Sequence, residues 1–167
     1  MKIVNMMLLL LCLNSGMITA NSVDDVQNGM DISKFLKDKS EMYEVKEETI
    51  SQEGYESTIF NVYKDSTLVY AVEPQESEAG KNQVWRIWLY SDKFKTELEL
   101  GVGNTLGDLR EKYTVEEILT GEGNVAVRVK EIAVSFLLDT SQIPKEWWYN
   151  MDLAELADAI LIDLIII

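Results

Sequence analysis

Between Thr58 and Val72 the chain reads TIFNVY, KDS, TLVYAV, two runs of β-branched and aromatic residues separated by three polar ones. Such residues suit a pleated, half-buried surface, and three polar residues suffice to reverse the chain, so the pattern predicts a β-hairpin. A lone hairpin is marginal in water, so this one obliges further strands to join it. VWRIWLY (84–90) is a third strand. From Lys93 to Val102 the residues alternate, with Phe94, Thr96, Leu98, Leu100 and Val102 on one side and Lys93, Lys95, Glu97 and Glu99 on the other, which predicts a strand with one wet face. Val115–Leu119, the turn GEGN (121–124) and Val125, Val127 and Val129 predict another strand pair. The apolar parity then switches to Ile132, Val134, Phe136 and Leu138, which requires a turn or bulge near 130–133.

Helical periodicity is confined to three short stretches. Ile32, Phe35 and Leu36 share one face of a helix over 31–39, with Asp31 as its cap. Leu106, Leu109 and Tyr113 share a face in a helix of about three turns, with Thr105 and Asp108 spaced as a capping box. Near the C-terminus, Leu153 to Ala159 predicts a short helix capped by Asp152, followed by a buried strand in the isoleucine-rich ending. The expected fold is a single α+β domain over 31–167, mainly antiparallel sheet with two or three short helices. Residues 21–30 are polar and are expected to be flexible.

The first 20 residues have the layout of a secretory signal peptide: Lys2, an apolar run from Met6 to Leu13, and a polar stretch ending Ile18-Thr19-Ala20. The run is well short of the about 18 residues that span a bilayer. Cleavage is expected after Ala20, giving a secreted or periplasmic protein with no transmembrane anchor. A lipid on Cys12 is not expected, because Leu11 ahead of it is not small. Cys12 is the only cysteine, so stability must come from packing rather than disulfides. A formal net charge of −14 repels nucleic-acid phosphates and anionic membranes, which argues against both as partners.

The chain has no histidine, which removes imidazole acid–base steps, Ser-His-Asp catalysis and His-ligated zinc. Carboxylates could still hydrolyse glycosides, but a catalytic pair is defined by spatial separation, and no residue can be assigned to it from sequence. No calcium-loop pattern is present, and no metal or cofactor is expected. The stretch GVGNTLG (101–107) raises the question of a phosphate-binding loop. Its glycines, Gly101, Gly103 and Gly107, are one residue too widely spaced for the dinucleotide fingerprint, and the strand before it is half polar. A structural turn is the expectation.

The same segment, through Gly103, Thr105, Leu109 and Tyr113, resembles a strand, G-x-T turn and helix motif of uncharacterised secreted and envelope proteins of bacteria. It is similar in part to small outer-membrane assembly lipoproteins and to β-lactamase-inhibitor-like domains, over about 45 residues. Here the motif lies late, no Gly-x-Pro follows it, and no lipid-bearing cysteine remains. The resemblance implies an uncharacterised envelope or secreted protein.

The tryptophans are the remaining candidates. On strand 84–90, Trp85, Ile87 and Leu89 share a face suited to the core, leaving Trp88 and Tyr90 beside Arg86 on the other. Trp147 and Trp148 follow Pro144. Core packing is the plain reading for Trp85 and for one of Trp147 and Trp148, and the helix bearing Leu106, Leu109 and Tyr113 could cover the face of Trp88. The candidate binding residues are Trp88, Tyr90, Trp147 and Trp148. The expected function is a non-enzymatic binding or envelope-associated protein with a protein or glycan partner; the alternative is a carboxylate-based hydrolase such as a glycosidase.

Overall fold

The computed structural model describes residues 16–52, 55–121 and 123–167. The apolar run Met6–Leu13 and Cys12 lie outside them. In chain order the elements are β1 (Gly16–Ile18), β2 (Ser22–Val23), β3 (Val26–Gln27), α1 (Ile32–Ser40), β4 (Glu44–Gln52), β5 (Tyr55–Lys64), β6 (Thr67–Glu76), β7 (Asn82–Leu89) and β8 (Phe94–Thr96). Then follow α2 (Leu106–Lys112), β9 (Val115–Gly121), β10 (Asn124–Val129), β11 (Ser135–Leu138), three short 3-10 turns between Thr140 and Glu155, and β12 (Ile162–Ile166). The large sheet is antiparallel throughout, in the order β4-β5-β6-β7-β12-β11-β10-β9. A small sheet runs β3-β2-β1-β8, with β1 and β8 parallel. Among the described residues the fold is mostly antiparallel sheet with two α-helices, consistent with α+β but with more β character than the sequence suggests.

One line of side chains crosses all eight strands of the large sheet: Val45, Val62, Tyr70, Leu89, Ile165, Phe136, Val127 and Ile118. All belong to or pack on one continuous core. Phe35 of α1 meets Tyr70 edge to face at 6.5 Å between centroids, Phe94 of β8 meets Tyr70 at 6.0 Å, and Tyr113 after α2 lies 6.3 Å from Phe136. Both helices and the small sheet therefore cover the same face. The alternative in which Leu106, Leu109 and Tyr113 cover the Trp88 face does not occur, because those residues join the core with Leu89 and Phe136 instead.

Local signals are realised closely. Asp31 caps α1, accepting from the Lys34 N–H at 3.1 Å, and Ile32 and Phe35 are buried. The hairpin of β5 and β6 turns through Asp65 and Ser66, both at positive φ. Val125, Val127 and Val129 face the core, as do Val134, Phe136 and Leu138 across the predicted change of parity. Other expectations change. Residues 21–30, read as flexible, contain β2 and β3, whose Val23 and Val26 are both 1% exposed. Buried Lys39 of α1 pairs with Asp25 in the turn between those strands. The alternating segment 94–102 is a strand only to Thr96, because Thr96 O accepts from Glu99 N–H at 2.9 Å and its N–H donates to Leu100 O at 2.8 Å, turning the chain. Of the helix predicted over Leu153 to Ala159 only a 3-10 turn at Leu153–Glu155 forms, and the terminal strand β12 is present but lies in the middle of the sheet.

The glycine stretch is a turn into α2, a helix of seven residues rather than three full turns. Thr105 and Asp108 form the predicted capping box, with bonds of 3.1 and 2.9 Å. The hydrogen bond from the Thr105 backbone N–H leads the causes that hold the Asp108 carboxyl below its usual range. Every N–H from Gly103 to Asp108 is donated within the protein: to Ile162 O, Gly101 O, Asp108 Oδ2, Ile160 O, Asp158 O and Thr105 Oγ1. That leaves no donor along this stretch to cradle a phosphate, and the Asp108 and Asp158 carboxylates would repel one. Gly107 permits the close approach to Asp158, since a Cβ there would stand 2.9 Å from Asp158 Cβ.

Gly103 sits at φ +84°, and a Cβ there would meet no atom within 4 Å, so only backbone conformation demands glycine at this position. Gly103→Val is expected to lower unfolding stability by about 1–3 kcal/mol, and Gly103→Asn by less, because Asn tolerates this region. Denaturant titration reads the difference; equal midpoints for wild type and Gly103→Val would contradict the turn's role.

Candidate binding face

The face of the large sheet opposite the helices is set by the register of β7. Glu73 pairs with Arg86 and Pro74 with Val84, so Trp85 is an extra residue in a β-bulge. At the break the Val84 N–H turns away from β6 and donates to Met30 O at 2.8 Å, while Gly29 N–H donates to Val84 O at 2.8 Å. The bulge shifts parity by one: Val84, Ile87 and Leu89 face the core, while Trp85 turns outward and is 39% exposed. The expectation of a buried Trp85 fails for that reason. The Arg86 guanidinium stacks on the Trp85 ring at 3.6 Å and lies 3.6 Å from the buried carboxylate of Glu73.

Beyond the bulge, alternation places Trp88 outward. The line Asn61, Ala71, Trp88, Ile166, Ser135, Arg128 and Glu117 runs from β5 to β9, directly beside the core-facing line and on the other side of the sheet. A second outward line joins Leu164, Leu137, Ala126 and Leu119 across β12, β11, β10 and β9. Ala71 is fully buried, Trp88 is half-buried with an indole Nε1 that has no hydrogen-bond partner among the described residues, and Tyr90 is 36% and Leu119 43% exposed. Burial, followed by the charge of nearby Tyr63, raises the Tyr90 phenol above its usual range. The result is an aromatic and aliphatic track across β7, β12, β11, β10 and β9, bordered by Ser135, Arg128 and Glu117, that no helix of the described residues covers.

The four candidates do not converge. Trp88 and Tyr90 lie on this outer face. Trp147 is buried in the core cluster, its Nε1 donating to Asp152 O at 2.7 Å, and Trp148 stacks edge to face on it at 5.4 Å. Arg110 of α2 ties that segment to the helix side through Leu153 O, Leu156 O and Asp158. Leu119, Leu137, Leu164 and Ile166 were not singled out from sequence, although SFLL and IDLII carry apolar residues at both parities. That pattern means a strand whose two faces are both apolar.

The remaining carboxylates do not gather. Among the described residues, no group of three or more acidic, cysteine or histidine side chains is placed to hold a metal. The pocket at the β6–β7 hairpin, about 680 Å³, is lined by exposed Asp31, Glu76 and Glu78. A glycoside-cleaving acid needs a raised pKa. Among the described residues, the carboxyls whose acidity shifts all move down. Burial opposes the change at Asp25, but its bond to Lys39 and the Lys39 charge outweigh it; at Glu131 the hydrogen bonds from Thr114 dominate, and at Asp139 those from Ser141.

No helix of the described residues is long and apolar enough to cross a membrane. No family model and no curated protein matches the chain. Among solved structures, the chain is similar to the crystal structure of the uncharacterized protein YfeY from Escherichia coli, with a TM-score of 0.66 and 11% identity, covering 89% of this chain and 97% of that one. The likeness concerns the fold.

Acrylamide quenching of single-tryptophan variants, the other three rings replaced by Phe, is expected to rank Trp85 most accessible and Trp147 least, with Trp88 and Trp148 between. Trp147 quenched as readily as Trp85 would contradict the two-faced arrangement.

Proposed function

We propose that this chain is a secreted or periplasmic, non-enzymatic binding protein, a single α+β domain that docks a partner protein on the outer face of its large sheet. The observation that carries the reading is the apolar track formed by Trp88, Tyr90, Leu164, Ile166, Leu137 and Leu119 on the face turned away from both helices, with Ser135 and the Arg128–Glu117 ion pair beside it. A sheet face facing only water is ordinarily polar, so an aromatic and aliphatic one is suited to a contact surface. A protein partner fits better than a glycan. Sugar stacking uses open aromatic faces, whereas Arg86 already stacks on Trp85 and most of the patch is aliphatic. The net charge of −14 favours a partner whose apolar contact is rimmed by Lys and Arg.

Photo-crosslinking in the exporting cell tests this. A crosslinker at Leu119 is expected to give a discrete protein adduct, and one at Tyr149, 91% exposed on the helix side, is expected not to. Tyr90→Ala should lower adduct yield or affinity about tenfold, as for an aromatic anchor worth about 1.4 kcal/mol. No adduct at Leu119, or an equal one at Tyr149, would contradict the proposal.

A further inference from the structure

The leader read from sequence ends at Ala20, yet Gly16–Ile18 form β1 inside the fold. Ile18 is 3% exposed and belongs to the central core cluster. Three residues of β1 pair in parallel with Phe94, Lys95 and Thr96 of β8, and among the described residues β8 pairs with no other strand. On its other side Ile18 pairs with Val23, Asp24 N–H donates to Met17 O at 3.2 Å, and Thr19 closes the turn with its N–H on Ser22 O at 2.9 Å and its hydroxyl 2.6 Å from that of Ser22.

The fit is residue-specific. A Cβ on Gly16 would stand 2.4 Å from the Phe94 ring and 2.8 Å from Asp24 Oδ1, so nothing larger than glycine fits without displacing them. A leader needs only an apolar run and a small residue at its cut; it has no need of a strand register, a buried isoleucine or a glycine matched to one ring. Loss of residues 16–20 would leave β8 unpaired, bare the flank of Phe94 and remove Ile18 from the core. It would also strip one wall from the groove of about 580 Å³ that Met17 to Ala20 form with Leu98, Tyr113 and Ile132.

We infer that processing during export leaves Gly16–Ala20 in place, with the cut at or before the Ser15–Gly16 bond, so that β1 is a permanent part of the mature domain. Ser15 supplies a small residue directly ahead of β1. The inference rests on the export reading, and the two fail differently.

The test is the N-terminal sequence and intact mass of the exported full-length chain, and of the same chain carrying Ala20→Lys. Ala20 is exposed, so a lysine there is accommodated in the fold, but a lysine directly before the bond would block a cut after residue 20. The expected result is, in both, a processed chain whose N-terminus lies after Met1 and at or before Gly16, the masses differing only by the substitution. An N-terminus at Asn21, or processing abolished by Ala20→Lys, overturns the inference while leaving export intact. A wild-type chain still beginning at Met1 is the failure of the export reading and takes the inference with it.

Discussion

The pairing of β7 with β12 holds the molecule together. Ile87 and Ile167 exchange both backbone hydrogen bonds at 3.0 Å, and Leu89 and Trp88 stand opposite Ile165 and Ile166. This ladder joins the sheet's first four strands to its last four, across a stretch of chain that contains β8, α2 and the β9–β11 meander. Closing so long a segment costs conformational entropy that no local contact returns, so the junction depends on the core it brings together: Leu89, Ile165 and Phe136 beneath α2, and Tyr70 beneath α1. The same register decides what faces outward. With Leu89 and Ile165 turned to the helices, Trp88 and Ile166 must face the other way, and a slip of one residue would exchange the two sets.

The outer face is therefore a consequence of how the core closes, and its composition is the part that core packing does not require. A strand with one wet side needs apolar residues at alternate positions only, yet β11 and β12 carry them at both. The bulge at Trp85 adds an indole to this face and places Arg86 over it, with Glu73 as the cation's buried neighbour. The features that first suggested chemistry instead serve structure. The glycine turn commits its N–H groups to β12, to the segment ahead of it and to the α2 cap, and the shifted carboxyls are held ionised by hydrogen bonds or by Lys39.

What the sequence disclosed follows the range of each interaction. Asp31 and the Thr105–Asp108 box were legible because a cap is decided within four residues, and the β5–β6 hairpin because its turn is three residues long. The parity change after Val129 was legible for the same reason. The fate of Trp85 was not: alternation alone puts it beside Ile87, and the register break that reverses it lies where the backbone of Val84 bonds to Gly29 and Met30, far away in the sequence. The end of β8 at Thr96 was hidden by a turn whose closing bonds involve Leu100 and Glu99 rather than any pattern of polarity. Nor could sequence place β12 at the centre of the sheet, which separated Trp147 and Trp148 from the face where Trp88 and Tyr90 lie.

The central claim is that one face of the large sheet is sealed by the helices and the small sheet, and that the other carries a partly exposed apolar track across β7, β12, β11, β10 and β9. Methyl NMR with a soluble gadolinium chelate tests it most directly, because Leu164 and Ile165 are chain neighbours on opposite faces, as are Leu137 and Leu138. The account predicts strong relaxation enhancement at the methyls of Leu164, Leu137 and Leu119, and little at those of Ile165, Leu138 and Val127. Equal protection of both sets would contradict it, since the outer face would then be covered and unavailable to any partner.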